Sequence, residues 1–137
     1  MCRVLADPDG DLADLRKETS LYPSALGAAL VEGLWEADFA VQLARYGAAG
    51  TDPAYAAGCL FRAVGVACQA LHGHEGQWLI NEKGMVASAG WLCTSPRDFA
   101  VRAQRLLGDI GESTRQIEAT VADAAALIEE VKTVVGR

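Results

Sequence analysis

The chain has 137 residues, of which 51% are hydrophobic and 22% charged, and carries a formal net charge of -6. That length suits one domain and is short for two. Its positive residues are scattered, which argues against nucleic acid as a primary partner, because phosphate binding needs a concentrated basic face.

Residues 1–22 form the least regular part. Asp7-Pro8-Asp9-Gly10 is a strong turn signal, Arg3-Val4-Leu5 before it reads as a strand remnant without a partner, and Asp11 to Glu18 adds a turn of helix. The N-terminus MCRVLADPDG lacks a charged-then-apolar signal pattern. No uninterrupted apolar run approaches the ~20 residues that cross a bilayer. The expectation is a cytoplasmic protein with no membrane partner.

From Pro23 the pattern turns helical, and residues 23–137 read as one helical bundle domain. The first helix is expected from Pro23 to about Gly47, with Leu26, Leu30, Leu34, Ala37, Val41 and Ala44 as its buried stripe. Thr51-Asp52-Pro53 then supplies a capping side chain followed by proline at the first helical position. The second helix should run to about His72, burying Ala57, Leu60, Phe61, Val64, Cys68 and Leu71. Beside that stripe lies another, Tyr55, Cys59, Arg62, Val66, Gln69 and His72, of the kind that lines a cavity or forms a partly exposed face.

A third helix is expected from Gln77 to about Trp91, weakened by Gly84 and Gly90. Ser95-Pro96-Arg97-Asp98 restarts a helix with Phe99, Ala103, Leu106, Leu107 and Ile110 inside. Ser113-x-x-Gln116 is a capping box opening the last helix, Thr114 to Val135, whose apolar stripe includes Ile117, Val121, Ala124 and Val131. All long periodic segments are helical and the connections are short. The fold class is therefore all-α, an antiparallel up-and-down bundle of about five helices.

Polar chemistry concentrates between Gly58 and Gly84. His72 and His74 are two apart, a separation that does not put two imidazoles on one helix face, so no metal site is expected. His72 is a candidate general base, with lining or capping of the helix end as the plainer role. Glu82 and Lys83 are adjacent and must point in different directions, so one of them approaches the apolar side or a pocket. Glu36 and Asp38 interrupt the first apolar surface in the same way. Trp35 and Trp78 are core residues or the broad walls of a pocket. Cys59 and Cys68 lie among apolar neighbours as small packing groups, and neither they nor Cys2 and Cys93 make a C-x2-C pair.

Leu21-Tyr22-Pro23-Ser24-Ala25-Leu26, Trp35-Glu36-Ala37-Asp38-Phe39, Tyr55 through Gly58-Cys59-Leu60-Phe61-Arg62, and Trp78 through Asn81-Glu82-Lys83-Gly84 resemble the C-terminal helical domain of bacterial nucleotidyltransferase-like proteins. These are similar to the aminoglycoside and kanamycin nucleotidyltransferases, and the resemblance covers roughly residues 3–110. It implies a helical half that packs against a catalytic domain, helps shape the acceptor-substrate cleft and in some members supplies a carboxylate base. Glu36 or Asp38 is the nearest equivalent of that base, and Asn81, Glu82 and Lys83 match a recurrent triplet, with Arg62 opposite. The catalytic half of such proteins carries a Gly-Ser signature with paired aspartates that hold magnesium. No Gly-Ser dipeptide occurs here, so this chain alone is not expected to transfer nucleotides.

Three readings follow. The first is a stand-alone helical domain that binds a small molecule or pairs with a separate catalytic subunit, with Trp35, Tyr55, Arg62, Gln69, Trp78, Asn81 and Lys83 on the ligand and no cofactor. The second is a small cofactor-independent enzyme using Glu36, Asp38, His72 or Glu82 for acid-base work. The third is a structural homodimer built on the apolar stripe of the last helix.

Overall fold

The computed structural model describes residues 4–137, so Cys2 and the first member of the Arg3-Val4-Leu5 segment lie outside it. Among the described residues there is no strand, and Val4 and Leu5 are irregular. Seven helical segments carry the fold: α1 (Asp11–Thr19), α2 (Ser24–Glu32), α3 (Trp35–Ala49), α4 (Pro53–His74), α5 (Met85–Ala89), α6 (Phe99–Gly108) and α7 (Thr114–Val134). The all-α bundle expected from periodicity is the fold observed.

Helix α4 is the centre. Asp52 accepts a hydrogen bond from the Tyr55 backbone N–H at 3.0 Å, and Pro53 follows at the first helical position. This is the start signal read from the sequence, because an aspartate side chain satisfies an orphan donor and proline loses nothing there. The helix buries Leu60, Val64, Cys68 and Leu71 as expected, together with Ala56, Ala63, Ala67 and Ala70. Phe61 is exposed, a correction to its core assignment. Helices α2, α3, α5, α6 and α7 all pack against α4, which accounts for its apolar composition.

The expected helix from Pro23 to Gly47 is two helices. The chain turns at Gly33 and Leu34, where the Leu34 N–H bonds the Val31 carbonyl and the Glu36 N–H bonds the Gly33 carbonyl, before α3 begins. Leu34, Ala37, Val41 and Ala44 are buried on the expected stripe, whereas Leu26 is exposed. Helix α2 crosses α4 where two glycines meet. A Cβ on Gly27 would lie 2.5 Å from the Gly73 carbonyl oxygen, so only glycine permits this approach.

The expected third helix, Gln77 to Trp91, is also corrected. Residues 77–84 are not helical, and only Met85–Ala89 forms the short α5. The Asn81 side-chain oxygen accepts the Lys83 N–H at 2.9 Å, an Asx turn that competes with helical bonding. Gly84 then takes a φ of 74°, which glycine adopts freely. Helix α6 likewise starts later than the Ser95-Pro96 signal, at Phe99, after Asp98 at a φ of 56°.

The last helix is as expected. Gln116 Oε1 accepts from the Ser113 backbone N–H at 3.1 Å and from its hydroxyl at 2.7 Å. Ile117, Val121, Ala124, Leu127, Ile128 and Val131 are all buried against the bundle. The stripe on which the third reading would build a dimer is thus packed inside the chain.

Candidate functional site

A cavity of about 200 Å³ opens between α2, the start of α3, one face of α4 and the loop before α5. Its polar lining is Glu36, Arg62, Gln69, Asn81 and Glu82, and its apolar floor includes Leu30, Phe61, Val66 and Met85. The break at Gly33 matters here, because Gly33 itself lines the cavity and Glu36 enters it from the first turn of the next helix.

Each polar group is held by a separate local device. Arg62 donates from Nε at 2.8 Å to a Glu36 oxygen that also lies 2.6 Å from Nη2 in an ion pair, joining α3 to α4 across the mouth. Gln69 donates from Nε2 to the Leu79 carbonyl at 3.3 Å, which ties the loop to α4. The Asx turn at Asn81 then fixes the chain direction, so that Glu82 lines the cavity while Lys83 does not. Adjacent residues on a turn diverge, as the sequence required of this pair. No hydrogen bond or ion pair engages the Glu82 carboxylate among the described residues, which leaves a carboxylate beside apolar walls with capacity for a ligand.

The remaining candidates lie elsewhere. Asp38 is two positions beyond Glu36, hence on the opposite side of α3, and accepts from Lys132 Nζ of α7 at 3.1 Å. Lys132 also donates to Glu129 at 2.7 Å, and these two carboxylates raise its pKa, the Glu129 bond first. Trp35 is exposed on the outer crest of α3 and stacks at a tilt against Phe39, ring centres 6.5 Å apart. Tyr55 is exposed near the start of α4, with its pKa raised by desolvation and then by its Cys59 neighbour. Trp78 packs edge-on against Tyr22 at 4.8 Å and donates its indole N–H to the Thr19 carbonyl at 3.1 Å. None of these four lines the cavity.

His72 is corrected most sharply. It is buried in the core, with Nδ1 2.8 Å from the Cys68 carbonyl oxygen and Nε2 2.9 Å from Ser88 Oγ of α5. A carbonyl only accepts, so Nδ1 carries a proton, and Nε2 is bonded to the Ser88 hydroxyl, which donates to it when the ring is neutral. Both nitrogens are occupied, and the ring pins α5 to α4. Its neighbour Cys68 is buried among apolar side chains, which push its thiol up to about 12. His74 is exposed at the end of α4. Among the described residues no group of three or more His, Cys, Asp or Glu side chains is placed to hold a metal ion.

The sequence missed Gly33 and Leu30 as cavity residues, because Leu30 sits on the stripe read as core and Gly33 inside a continuous helical pattern. It also missed Glu75, whose Oε1 accepts from the Thr94 backbone N–H at 2.7 Å and hydroxyl at 2.9 Å. The Thr94 backbone bond is the main reason its pKa is lowered. Compared with protein-family models, curated proteins and solved structures, the chain matches none.

Proposed function

We propose that this chain is a nucleotidyltransferase C-terminal-like helical domain whose cavity between α2, α4 and the 77–84 loop holds part of a small-molecule ligand, working with a separate catalytic subunit. The supporting observation is convergence. Glu36, Arg62, Gln69, Asn81 and Glu82, singled out from three stretches of sequence, line one cavity. Apolar walls with a few oriented polar groups are the usual composition of a ligand site.

The volume argues for a shared site. At about 200 Å³ the cavity is smaller than the ~300–1,000 Å³ of a pocket that encloses a whole ligand. One wall of a cleft completed by a second domain has this size. The cavity lining has no hydroxyl, thiol or amine side chain, and acid-base work within it rests on Glu82, because Glu36 is engaged by Arg62, Asp38 by Lys132, and His72 by Cys68 and Ser88.

Native mass spectrometry against a panel of amines, sugars and nucleotides tests this reading. A ligand retained by the natural chain and lost in Gln69→Leu and Glu82→Gln supports it. Retention of the same ligand by both variants, or no retention of any panel member, overturns it.

A further inference from the structure

The face of α4 that lines the cavity lacks one side chain. Phe61, Gly65 and Gln69 all line it, and their spacing of four puts them in a single row along the helix, with Gly65 as the notch in the middle. Glycine in the interior of a helix is unfavourable relative to alanine, because it loses more backbone freedom on folding. Packing does not account for it here. Outside its own helix backbone, a Cβ on Gly65 would meet only Met85, whose Sδ and Cε lie 3.8 Å away at ordinary contact distance. The backbone does not require glycine either, since Gly65 has no positive φ. Gly65 keeps a space open beside Met85, in a wall that is otherwise filled.

The charge around that space has a sign. Two carboxylates, Glu36 and Glu82, and one guanidinium, Arg62, line the cavity and leave it with one negative charge. Arg62 is already paired with Glu36, so the unspent charge is that of Glu82. Gln69 gives an amide N–H to the Leu79 carbonyl and retains its oxygen as an acceptor. The other walls, Leu30, Phe61, Val66 and Met85, offer no partner to a hydroxyl. A hydroxyl buried without a partner is unfavourable, which disfavours a sugar in this space.

We infer that the part of the ligand held by this chain is an ammonium group on a compact apolar body, the ammonium at Glu82 and the apolar body in the space that Gly65 keeps open beside Met85. This assignment rests on the reading of the cavity as a ligand site and names the chemistry it takes. The cavity of about 200 Å³ equals roughly seven waters at ~30 Å³ each, so the apolar body is a single small ring or short branched chain.

Four probes test it: cyclohexylmethylamine, its neutral analogue cyclohexylmethanol, the anionic cyclohexanecarboxylate, and glucosamine as a polyhydroxylated amine. Each is titrated to about 20 mM at pH 7 and low salt against the nitrogen-labelled full chain, following the amide shifts of residues 61–69 and 81–85. Cyclohexylmethylamine should bind with a dissociation constant of about 0.1–10 mM, at least about threefold tighter than any other probe. Glu82→Gln should bring the amine and the alcohol to the same affinity, since an exposed charge pair is worth up to about fivefold. Gly65→Ala should melt no lower than the natural chain yet bind the amine at least about threefold more weakly, and Gly65→Leu should lose it while keeping helical circular dichroism. Stronger binding of the alcohol, the carboxylate or glucosamine at these amides overturns the amine assignment and leaves the ligand site standing. Amine binding unchanged in both Gly65 variants, or in Glu82→Gln, likewise overturns only the assignment. Silence of these amides to all four probes overturns both.

Discussion

Arg62 meets Glu36 through two nitrogens and one oxygen, at 2.8 and 2.6 Å, across 26 positions of sequence. The pair bridges α3 and α4 at the mouth of the cavity while Arg62 stays 63% and Glu36 38% exposed. Exposure makes it a weak stabiliser and a useful gatepost, because exposed ion pairs contribute only about 0–1 kcal/mol. Arg62→Ala should therefore lower stability by less than about 1 kcal/mol in urea denaturation. It would also leave Glu36 and Glu82 as two uncompensated carboxylates on one cavity. Any cationic ligand found for the site should bind Arg62→Ala more tightly and an anionic one less, by calorimetry at low salt.

The close approach of α2 to α4 makes Gly27 intolerant of a side chain. Gly27→Ala drives a methyl group toward the Gly73 carbonyl oxygen, which is backbone and yields only if the helices separate. A loss of about 1–3 kcal/mol is expected, the usual cost of overpacking. Since α2 forms one cavity wall, ligand binding should weaken as well. Equal stability of Gly27→Ala and the natural chain would show that the helices cross farther apart.

His72 separates a structural from a catalytic role. Replacing it by alanine removes a buried ring and its bond to Ser88, leaving a cavity between α4 and α5, for an expected loss of about 2–4 kcal/mol. His72→Gln, which keeps a donor and an acceptor, should recover part of that loss. Neither variant should change ligand affinity at temperatures where it is folded, because His72 does not line the cavity.

Glu75 supplies a pH dependence. Its folded pKa lies below the ordinary carboxylate value because the ionised group accepts from Thr94. The stabilisation it gives is present above the unfolded value of about 4.3 and is lost as pH falls through the lower folded value. Glu75→Gln should be less stable than the natural chain at pH 7, and the two thermal melting curves should converge as pH falls through the lowered folded value. A difference that persisted at acid pH would assign the effect to the shape of the side chain.

The capped elements were the legible ones. Asp52-Pro53 and Ser113-Gln116 announce helix starts through side chains that bond nearby backbone donors, so sequence and structure agree there. The break at Gly33 was hidden because Leu30, Leu34 and Ala37 keep helical spacing straight through it. The 77–84 loop was misread for the opposite reason. Its apolar residues happen to suit a helix, while the decisive signals, an Asx turn at Asn81 and a left-handed Gly84, lie in single residues. Glu36, Arg62, Gln69, Asn81 and Glu82 were among the candidates read from the sequence and line the cavity, but the sequence did not separate them from Trp35, Asp38, Tyr55, His72, Trp78 and Lys83, which do not, because that depends on which neighbouring element each meets.

The indole of Trp78 has one more role through its bond to Thr19 and its edge contact with Tyr22. Helix α1 buries none of its own residues, so the stretch before Tyr22 is fastened to the bundle chiefly from outside, by a side chain of the cavity loop. Such a segment should be cleaved by protease, and exchange its amide hydrogens, long before the core opens. Its departure would uncover Trp78, which makes the red shift of tryptophan emission a reporter of N-terminal detachment and connects the freedom of that segment to the loop bearing Asn81 and Glu82.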